Sequence, residues 1–543
     1  MRSRIISTPD IQVSQARERL KDILPTVTRL RETTGAASVS FGVIYHGQVV
    51  LEATDGCLDA DKKIPADTNT AYIIGSTMKA MIASCCGMLV HQGKLAWDDK
   101  LSKHVDFQHA LDPVIGEHAT IHDALSHTTG IAQLDLSWYG ASGKNLVKPE
   151  DVLPVVAHLP VATAFRSEWS YCNYMYVIMA RIIDKTCGAA GGWSEYLIKS
   201  VLQPLDMSRS RLSRDTFEDE NVAEPHYVKD DLKPARLPRP DLSADTLMGP
   251  AGCLWSTVPD MLKWIKAVLD AVDPNRAESE PTVLKEMDTI TAHQAPLTHS
   301  GLFENTYGYG WSRLSMPSSM YGFMSTNGTN QEAMLGQHSD RRLMFYHGDQ
   351  VTGYLTTMCI FPETQSAIIV LSNSQALGDA SDWTARAIMQ ELFQFRPCVD
   401  LVAQAQVTAR QALGLYSRLM ADYRDNRHYE KGASLIGKFG VYSNSGLKLF
   451  LDVRPTAHPG RAGEFLLNGM PTQHHYLEHY NGSTFGFPPR SREEQESRCM
   501  VDYVSYKQFL LTFRTATNEE QDQVEWLMQP GIDAIVFSRL STN

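Results

Sequence analysis

The stretch GSTMKAMIASCCGMLV, residues 75–90, decides the fold prediction. Its apolar residues from Met81 to Leu89 recur with helical spacing, so we expect a helix that begins near Ser76. Lys79 follows Ser76 by three residues, and residues three apart share one face of a helix. A serine hydroxyl is a weak nucleophile that needs a neighbouring base, and a lysine removed from water can lose its proton and act as one. Taken alone, the pair is expected by chance in a chain of this size, and an N-cap serine beside a solvated lysine is the more ordinary explanation.

A second polar group precedes an apolar helical pattern at residues 175–183. Tyr171 and Asn173 lie two apart at this loop–helix junction, where both side chains can face a cleft. Tyr171 would transfer protons if a nearby ammonium group lowered its pKa, and Asn173 would fix the lysine or a substrate amide. A buried tyrosine and a capping asparagine are the alternative.

A third group interrupts a β run in MFYHGDQVTGY, residues 344–354. An edge strand of this kind lines a cleft and offers backbone N–H groups to a substrate. His347 would bond the tyrosine or a substrate carboxylate, and Gly348, Asp349 and Gln350 continue the edge. An ordinary hairpin with a surface histidine is the alternative.

In this order, the three groups resemble the motifs of the serine β-lactamase and penicillin-binding protein superfamily, in its esterase-type, class C β-lactamase-like branch. That superfamily carries Ser-x-x-Lys, then Tyr-x-Asn, then a Lys- or His-led triplet on a strand. Intervening stretches resemble its signatures as well: LSHTTGI (125–131), AGCLWST (251–257), YGYGW (307–311) and the run 347–374. So many matches in order favour the catalytic interpretation of Ser76, Lys79 and Tyr171 over the ordinary one.

The resemblance implies a mechanism and roles for these residues. An acyl group would be carried on Ser76, with Lys79 and Tyr171 together removing the Ser76 proton and protonating the leaving group. The N–H groups of Ser76 and Gln350 would form the oxyanion hole, and His347 and Asn173 would support the tyrosine and the lysine. Asp349 departs from the family, which usually has glycine there. An aspartate narrows or charges this edge, so the substrate class does not carry over.

The rest of the chain predicts an α+β fold: a β-lactamase-like antiparallel sheet flanked by helices, with a helical subdomain, and a C-terminal all-β, barrel-like domain. A hairpin is expected at 37–54 around His46-Gly47, and an amphipathic helix at 9–31 with a kink at Pro25. Other expected elements are helical patterns between 76 and 270, strands at 341–347, 354–361 and 367–372, and a helix at 380–395.

Domain boundaries follow from a change of composition after Pro397. We predict a β-lactamase-like catalytic domain at 1–398, a polar helical linker at 399–431 and a lipocalin-like β domain at 432–543. The β domain is expected to restrict access to the site, through an aromatic and His-rich run that holds His474, His475, Tyr476, His479, Tyr480, Phe485 and Phe487. Filling of the barrel's own core is the alternative for most of them.

Composition excludes several classes of protein. The 543 residues carry a net charge of −12 and 43% hydrophobic residues, which is ordinary for a globular enzyme and argues against a general nucleic-acid binder. No apolar run reaches membrane-spanning length, and no signal-peptide core is apparent. The nine scattered cysteines indicate reduced thiols, so we expect a cytoplasmic protein. No metal-binding motif and no phosphate loop is present, and no cofactor, metal, nucleic-acid or membrane partner is predicted. We make no prediction of the oligomeric state.

The sequence therefore predicts a serine acyl-enzyme hydrolase that cleaves an ester or lactone of a small molecule. An acyltransferase, a D-amino-acid amidase or peptidase, and a β-lactamase remain alternatives, because the acyl acceptor and donor are not fixed by these motifs. A His-led rather than Lys-led triplet disfavours the β-lactamase. Leu134, Trp138, Tyr139, Phe165 and Trp169 are candidates for an aromatic-rich wall that favours apolar acyl groups. A non-catalytic binding protein is the alternative of a different class.

Overall fold

The computed structural model describes residues 8–277, 281–298, 303–329, 334–429, 434–515 and 521–540, which form an α+β unit and a C-terminal barrel. The helices of these ranges are α1 (Thr8–Leu20), α2 (Leu24–Thr34), α3 (Lys79–His91), α4 (Pro113–His118), α5 (Ile121–Leu125), α6 (Val152–Val156), α7 (Asn173–Thr186), α8 (Gly192–Leu197), α9 (Gly249–Gly252), α10 (Val258–Ala271), α11 (Met287–Ile290), α12 (Ala380–Leu392), α13 (Leu401–Asp425) and α14 (Arg492–Ser497). Over the described ranges, none of these helices combines the length and the apolar character needed to cross a membrane.

The strands of the α+β unit are β1 (Ser38–Tyr45), β2 (Gln48–Asp59), β3 (Ile64–Pro65), β4 (Tyr72–Ile73), β5 (Tyr139–Gly140), β6 (Lys144–Asn145), β7 (His226–Val228), β8 (Pro234–Arg236), β9 (Trp255–Ser256), β10 (Ala295–Pro296), β11 (Asn305–Tyr307), β12 (Ser312–Met316), β13 (Arg342–Val351), β14 (Tyr354–Phe361), β15 (Ser366–Ser372) and β16 (Ser374–Gln375). Nine of them form one sheet in the order β10-β11-β12-β13-β14-β15-β1-β2-β3. Neighbours at its centre are antiparallel: Val39 of β1 lies opposite Ser372 of β15 and Asp55 of β2. The predicted antiparallel sheet and the hairpin at His46-Gly47 are confirmed.

Helices cover both faces of this sheet. Alternate residues of a strand point to opposite faces. Ile369 and Leu371 of β15 pack in one apolar cluster with α10, whereas Ile368 and Val370 pack in another with α1, α2 and α12. Strands β14 and β15 are therefore buried along their whole length.

The N-terminal helical pattern is two helices rather than one kinked helix. The break falls at residues 21–23, and Pro25 lies in the first turn of α2. Proline fits the first turn because its missing N–H would have no partner within the helix there. Gly35 then ends α2 in the left-handed conformation, which returns the chain to β1.

The C-terminal unit is a closed barrel of eight antiparallel strands that pair in sequence order, with the last strand returning to the first. The strands are β17 (Gly440–Asn444), β18 (Leu449–Arg454), β19 (Gly463–Leu467), β20 (His474–Asn481), β21 (Thr484–Gly486), β22 (Leu510–Arg514), β23 (Gln523–Trp526) and β24 (Ile535–Arg539). Strand β19 alternates buried and half-buried residues, as a small barrel requires. The predicted all-β, barrel-like C-terminal domain is confirmed. The buried positions of β20 include His475 and His479 beside Leu477, so this strand has no clear apolar alternation in the sequence.

Barrel side chains form hydrogen bonds with backbone groups of the α+β unit where the two units meet. The Gln473 amide makes two of them, since its Nε2 donates to the Ala141 carbonyl at 2.7 Å and its Oε1 accepts from the Ala141 N–H at 2.8 Å. The Leu134 N–H donates to Gln529 Oε1 at 2.6 Å. Helix α13 joins the two units and contacts α2 and α12 on one side and α14 on the other.

Candidate active site

A short turn places Ser76 at the entrance of α3. Strand β4 is followed by a 3₁₀ turn at Gly75–Met78, and α3 begins at Lys79. Gly75 has φ +53°, a left-handed conformation that side chains disfavour. Every residue of α3 from Lys79 to Leu89 is buried, so the lysine is held inside the protein rather than in solvent.

Two polar groups converge on the Ser76 hydroxyl. The Lys79 Nζ lies 2.6 Å from Ser76 Oγ, and the Tyr171 hydroxyl donates to the same oxygen at 2.8 Å. Lys79 also donates to Asn173 Oδ1 at 2.8 Å and to the carbonyl of Ala251 at 3.1 Å. The structure thus brings together Ser76, Lys79, Tyr171 and Asn173, which the sequence places up to 97 residues apart.

Burial separates the protonation roles of the lysine and the tyrosine. Burial lowers the pKa of Lys79 to about 8, although the charges of Asp349 and Asp135 oppose this. Burial raises the pKa of Tyr171 well above its ordinary value, with only the Ser76 hydrogen bond among the main causes acting the other way. The tyrosine shift is opposite to the lowering expected from a nearby ammonium group. Lys79 is therefore the group that can accept the Ser76 proton near neutral pH, and Tyr171 rests as a neutral hydrogen-bond donor.

Asp135, which the sequence analysis did not predict, orients the side chain of Asn173. The Asn173 Nδ2 donates to Asp135 Oδ1 at 3.1 Å, which turns the amide oxygen of Asn173 toward Lys79. Trp138 Nε1 also donates to Asp135 Oδ1, at 2.8 Å, and Gln133 donates to the other oxygen. Burial raises the pKa of Asp135, while these hydrogen bonds lower it. Nothing in the local sequence marks this aspartate, since its partners come from a separate motif.

His347 lies beside the site but not in it. Its ring is fully buried, with Nδ1 2.9 Å from the Gly348 carbonyl oxygen and Nε2 3.2 Å from the Tyr307 hydroxyl. Burial lowers its pKa to about 3, so the ring is neutral. Its partner is Tyr307 rather than the predicted Tyr171, and Tyr307 lies between strand β13 and the aromatic ring of Trp169.

The edge of β13 supplies the other wall of the cavity, through Gly348, Asp349 and Gln350. The N–H groups of Ser76 and Gln350, predicted to form the oxyanion hole, interact favourably with the Asp349 carboxylate. Burial raises the pKa of Asp349, while Lys79 and these N–H groups lower it. All the predicted site residues except His347 therefore reach the cavity or its reactive group.

The comparisons to known proteins bear on the fold that carries Ser76, Lys79 and Tyr171. The family model described as Beta-lactamase matches residues 25–391. The chain belongs to the β-lactamase family. The match covers the α+β unit and ends within α12, so the barrel lies outside it.

Relatives within the family are distant. The chain is 25% identical to Protein flp of Staphylococcus aureus (strain NCTC 8325 / PS 47) over 263 residues, 48% of this chain and 51% of that protein. It is 25% identical to the putative penicillin-binding protein PbpX of Bacillus subtilis (strain 168) over 228 residues, 42% of this chain and 54% of that protein. The matches thus span about half the length of these relatives.

A solved structure extends the likeness in fold to nearly the whole chain. The octameric penicillin-binding protein homologue from Pyrococcus abyssi aligns with a TM-score of 0.52 and 17% identity, over 96% of this chain and 100% of that one. At this identity the likeness shows the fold alone.

The group around Ser76 opens into a cavity of about 420 Å³ with an aromatic wall. Of the predicted wall residues, Trp138, Tyr139 and Trp169 line the cavity, whereas Leu134 and Phe165 do not. Leu242, Met248, Phe323 and Met324 also line it and were missed, because they come from loops far apart in the sequence. Over the described ranges, no group of three or more His, Cys, Asp or Glu side chains is arranged to hold a metal ion.

The barrel contributes Val501 and Asp502 to the cavity, from the segment after α14. The aromatic run that we expected there lies elsewhere: His475, His479, Tyr480, Phe485 and Phe487 are buried, and none of them lines this cavity. The core-filling alternative thus describes them better. Burial and the charge of Asp135 raise the pKa of Asp502 to about 7.

Proposed function

We propose that this protein is a serine hydrolase that cleaves an ester or lactone of a small molecule through an acyl-Ser76 intermediate. The observation that carries the proposal is the contact between Ser76 Oγ and the buried Lys79 Nζ, 2.6 Å apart, with the pKa of the lysine lowered to about 8. A serine with a buried amine at this distance has the base that nucleophilic attack requires.

Acylation uses the groups around Ser76 in sequence. Neutral Lys79 accepts the hydroxyl proton as Ser76 Oγ bonds to the acyl carbon, and the carbonyl electron pair moves onto the oxygen. The N–H groups of Ser76 and Gln350 stabilise that oxyanion. When the ester bond breaks, the proton on Lys79 passes to the leaving oxygen by way of the Tyr171 hydroxyl, which lies 2.8 Å from Ser76 Oγ.

Deacylation repeats these steps with an acceptor in place of the leaving group. The water oxygen bonds to the acyl carbon while its proton passes to Lys79. The bond between Ser76 Oγ and the acyl carbon then breaks, Lys79 returns the proton to Ser76 Oγ, and the acid leaves. An alcohol or amine in the same position makes the protein an acyltransferase. Assay of the product with and without added alcohol distinguishes the two.

The cavity favours apolar donors without a carboxylate. Trp138, Tyr139 and Trp169 offer apolar and aromatic surface to an acyl or aryl group. The acidic residues Asp135, Asp349 and Asp502 line the same space, where a carboxylate would meet like charge. This disfavours β-lactams, which carry a carboxylate, and favours neutral esters and lactones.

The test is a panel of p-nitrophenyl esters, lactones, nitrocefin and D-amino-acid anilides, read by turnover and by the intact mass of the protein. We expect an acyl adduct and turnover with the esters, and neither in Ser76→Ala. That variant loses only a hydroxyl in a turn that no side chain caps, so circular dichroism should show an unchanged fold. Equal turnover by Ser76→Ala, or turnover of nitrocefin or anilides alone, would contradict the proposed ester hydrolase.

A further inference from the structure

The Asp349 side chain lies against the nucleophile's own turn. A Cβ atom placed on Gly75 would be 1.4 Å from Asp349 Oδ2 and 2.2 Å from its Cγ. The carboxylate therefore occupies the space that a side chain at Gly75 would fill, directly before Ser76. Gly75 has φ +53°, so both its conformation and its missing side chain suit this contact.

The carboxylate lies beside the donors of the predicted oxyanion hole. Gly75 precedes Ser76 and Asp349 precedes Gln350, so the contact between Asp349 and Gly75 places the carboxylate next to both N–H groups, whose favourable interaction with it lowers the pKa of Asp349. A carboxylate oxygen and the oxyanion of a tetrahedral intermediate both carry negative charge on oxygen. Both can therefore accept hydrogen bonds from the same two converging N–H groups. One pair of donors cannot serve both at once.

The surroundings of Asp349 provide little positive charge that could stabilise a second anion. Among the residues that the structure describes, those lining the cavity include three acidic ones, Asp135, Asp349 and Asp502, and no lysine or arginine. Lys79, the cation behind Ser76, already interacts with Asp349 and Asp135. A donor that brings its own carboxylate to this edge adds a further negative charge beside these acidic residues.

We propose that Asp349 is an internal ligand of the oxyanion hole and a specificity-determining residue, so that a donor must displace its carboxylate to be acylated and a donor bearing a carboxylate near the scissile bond is rejected. The inference rests on the proposed acyl-Ser76 chemistry. As Ser76 Oγ bonds to the acyl carbon, the carbonyl oxygen takes up the electron pair and the two N–H groups. The half-buried Asp349 side chain turns out into the cavity.

The experiment compares Asp349→Gly, which restores the residue usual in the family, with Asp349→Asn, which removes the charge and keeps the side-chain volume. Glu218→Gln is the matched control, because Glu218 is an exposed carboxylate outside the cavity. The donors are p-nitrophenyl butyrate and mono-p-nitrophenyl glutarate, which differ by a terminal carboxylate. The acylation rate of Ser76 is followed by the p-nitrophenolate burst and by intact mass. Inhibition by phenylboronic acid, whose adduct places an oxygen in the oxyanion hole, gives a readout independent of turnover.

We expect Asp349→Gly to acylate with butyrate about tenfold to a hundredfold faster and to bind the boronate more tightly by a similar factor, since a single oxyanion donor is worth about a hundredfold or more. The glutarate-to-butyrate ratio should rise by about a further tenfold in both Asp349 variants, and Glu218→Gln should match the wild type. If circular dichroism shows that Asp349→Gly does not fold, the inference is tested on Asp349→Asn, by its glutarate-to-butyrate ratio of acylation rates and its affinity for the boronate.

Two other results are informative in different ways. Unchanged or weaker boronate binding and acylation in folded Asp349 variants, with Ser76 still labelled, would overturn the inference and leave the proposed hydrolase intact. A wild type that never labels at Ser76, beside an Asp349→Gly that does, would overturn the proposed hydrolase and support the occupied oxyanion hole. If no variant forms a Ser76 adduct, both the proposed hydrolase and the inference on Asp349 are contradicted.

Discussion

The pH dependence of acylation follows from the protonation state of Lys79. The lysine must be neutral to accept the Ser76 proton, so the rate follows the neutral fraction and rises as pH increases. With a pKa of about 8, about one quarter of the lysine is neutral at pH 7.5, against about one thousandth at the ordinary value of 10.5. Burial of Lys79 thus raises its neutral fraction at pH 7.5 about two hundredfold.

The expected profile has one acid limb and a plateau. Between pH 6 and pH 8 the neutral fraction grows about fiftyfold, and log kcat/KM rises with unit slope before it levels. The other titratable groups facing Lys79 do not change charge in this window: the pKa values of His347 and His127 are lowered by burial, and those of Tyr171 and Cys172 are raised by it. Asp135 and Asp349 are acids whose pKa burial raises, and their charges favour the ammonium form.

The substitution that tests whether Lys79 is the base is Asp135→Asn. The substitution keeps an oxygen to accept from Asn173 Nδ2 but removes a negative charge that raises the pKa of Lys79. The acid limb should therefore move to lower pH, and the rate at pH 6.5 should rise relative to its plateau. Asp502→Asn is the comparison variant, because Asp502 lines the cavity but is not among the charges that chiefly act on Lys79.

The assay is kcat/KM for p-nitrophenyl acetate from pH 5.5 to pH 9.5 at constant ionic strength, monitored at the isosbestic wavelength of p-nitrophenol. Two results would refute the reasoning. A flat profile would show that the base is not Lys79. A limb near pH 7 that Asp135→Asn does not move would show that a group other than Lys79 supplies it.

Three further predictions follow from single contacts. Lys79→Ala and Tyr171→Phe should each lower acylation by about a hundredfold or more, and the double variant little further; additive losses would mean that the two residues act separately. Gly75→Ala should lower acylation, because a side chain at φ +53° strains the turn that carries Ser76, and the loss should persist in an Asp349→Gly background; full rescue there would assign it to contact with the Asp349 carboxylate instead. Gln473→Ala should lower the free energy of unfolding by about 1–3 kcal/mol in urea titration, since the Ala141 N–H and carbonyl lose their partners, and an unchanged unfolding midpoint would show that solvent replaces them.

The parts of the site that the sequence predicts are those whose chemistry is local. Ser76 and Lys79 lie one helical turn apart, so their spacing alone places the amine beside the hydroxyl. The antiparallel sheet follows from β-rich runs that end in turn residues, such as His46 and Gly47. The direction of the Tyr171 pKa shift is not local: it depends on how deeply the rings of His127 and Trp169 and the rest of the fold bury the phenol, which no spacing in the sequence records.

The same limit applies to the residues that the sequence analysis missed. Asp135 has no motif, and its role appears only because α7 brings Asn173 to it. Val501 and Asp502 belong to a different unit, about 330 residues after Tyr171 along the chain, and they reach the cavity only because the barrel docks on the segment around Leu134 and Ala141. Aromatic richness pointed instead to residues that fill the barrel, because composition alone cannot separate a core from an interface.

The docking of the barrel connects it to the nucleophile through a short chain of contacts. Leu134 has φ +42°, an unfavourable conformation for a leucine, and its N–H is held by Gln529 of the barrel. The next residue is Asp135, which orients Asn173, and Asn173 accepts from the Lys79 ammonium. The barrel thus fixes the backbone from which the base is positioned, in addition to placing Asp502 in the cavity. A change at this interface therefore reaches acylation through the position and pKa of Lys79, and through the space left for the donor, even where the β-lactamase-like unit keeps every one of its own catalytic groups.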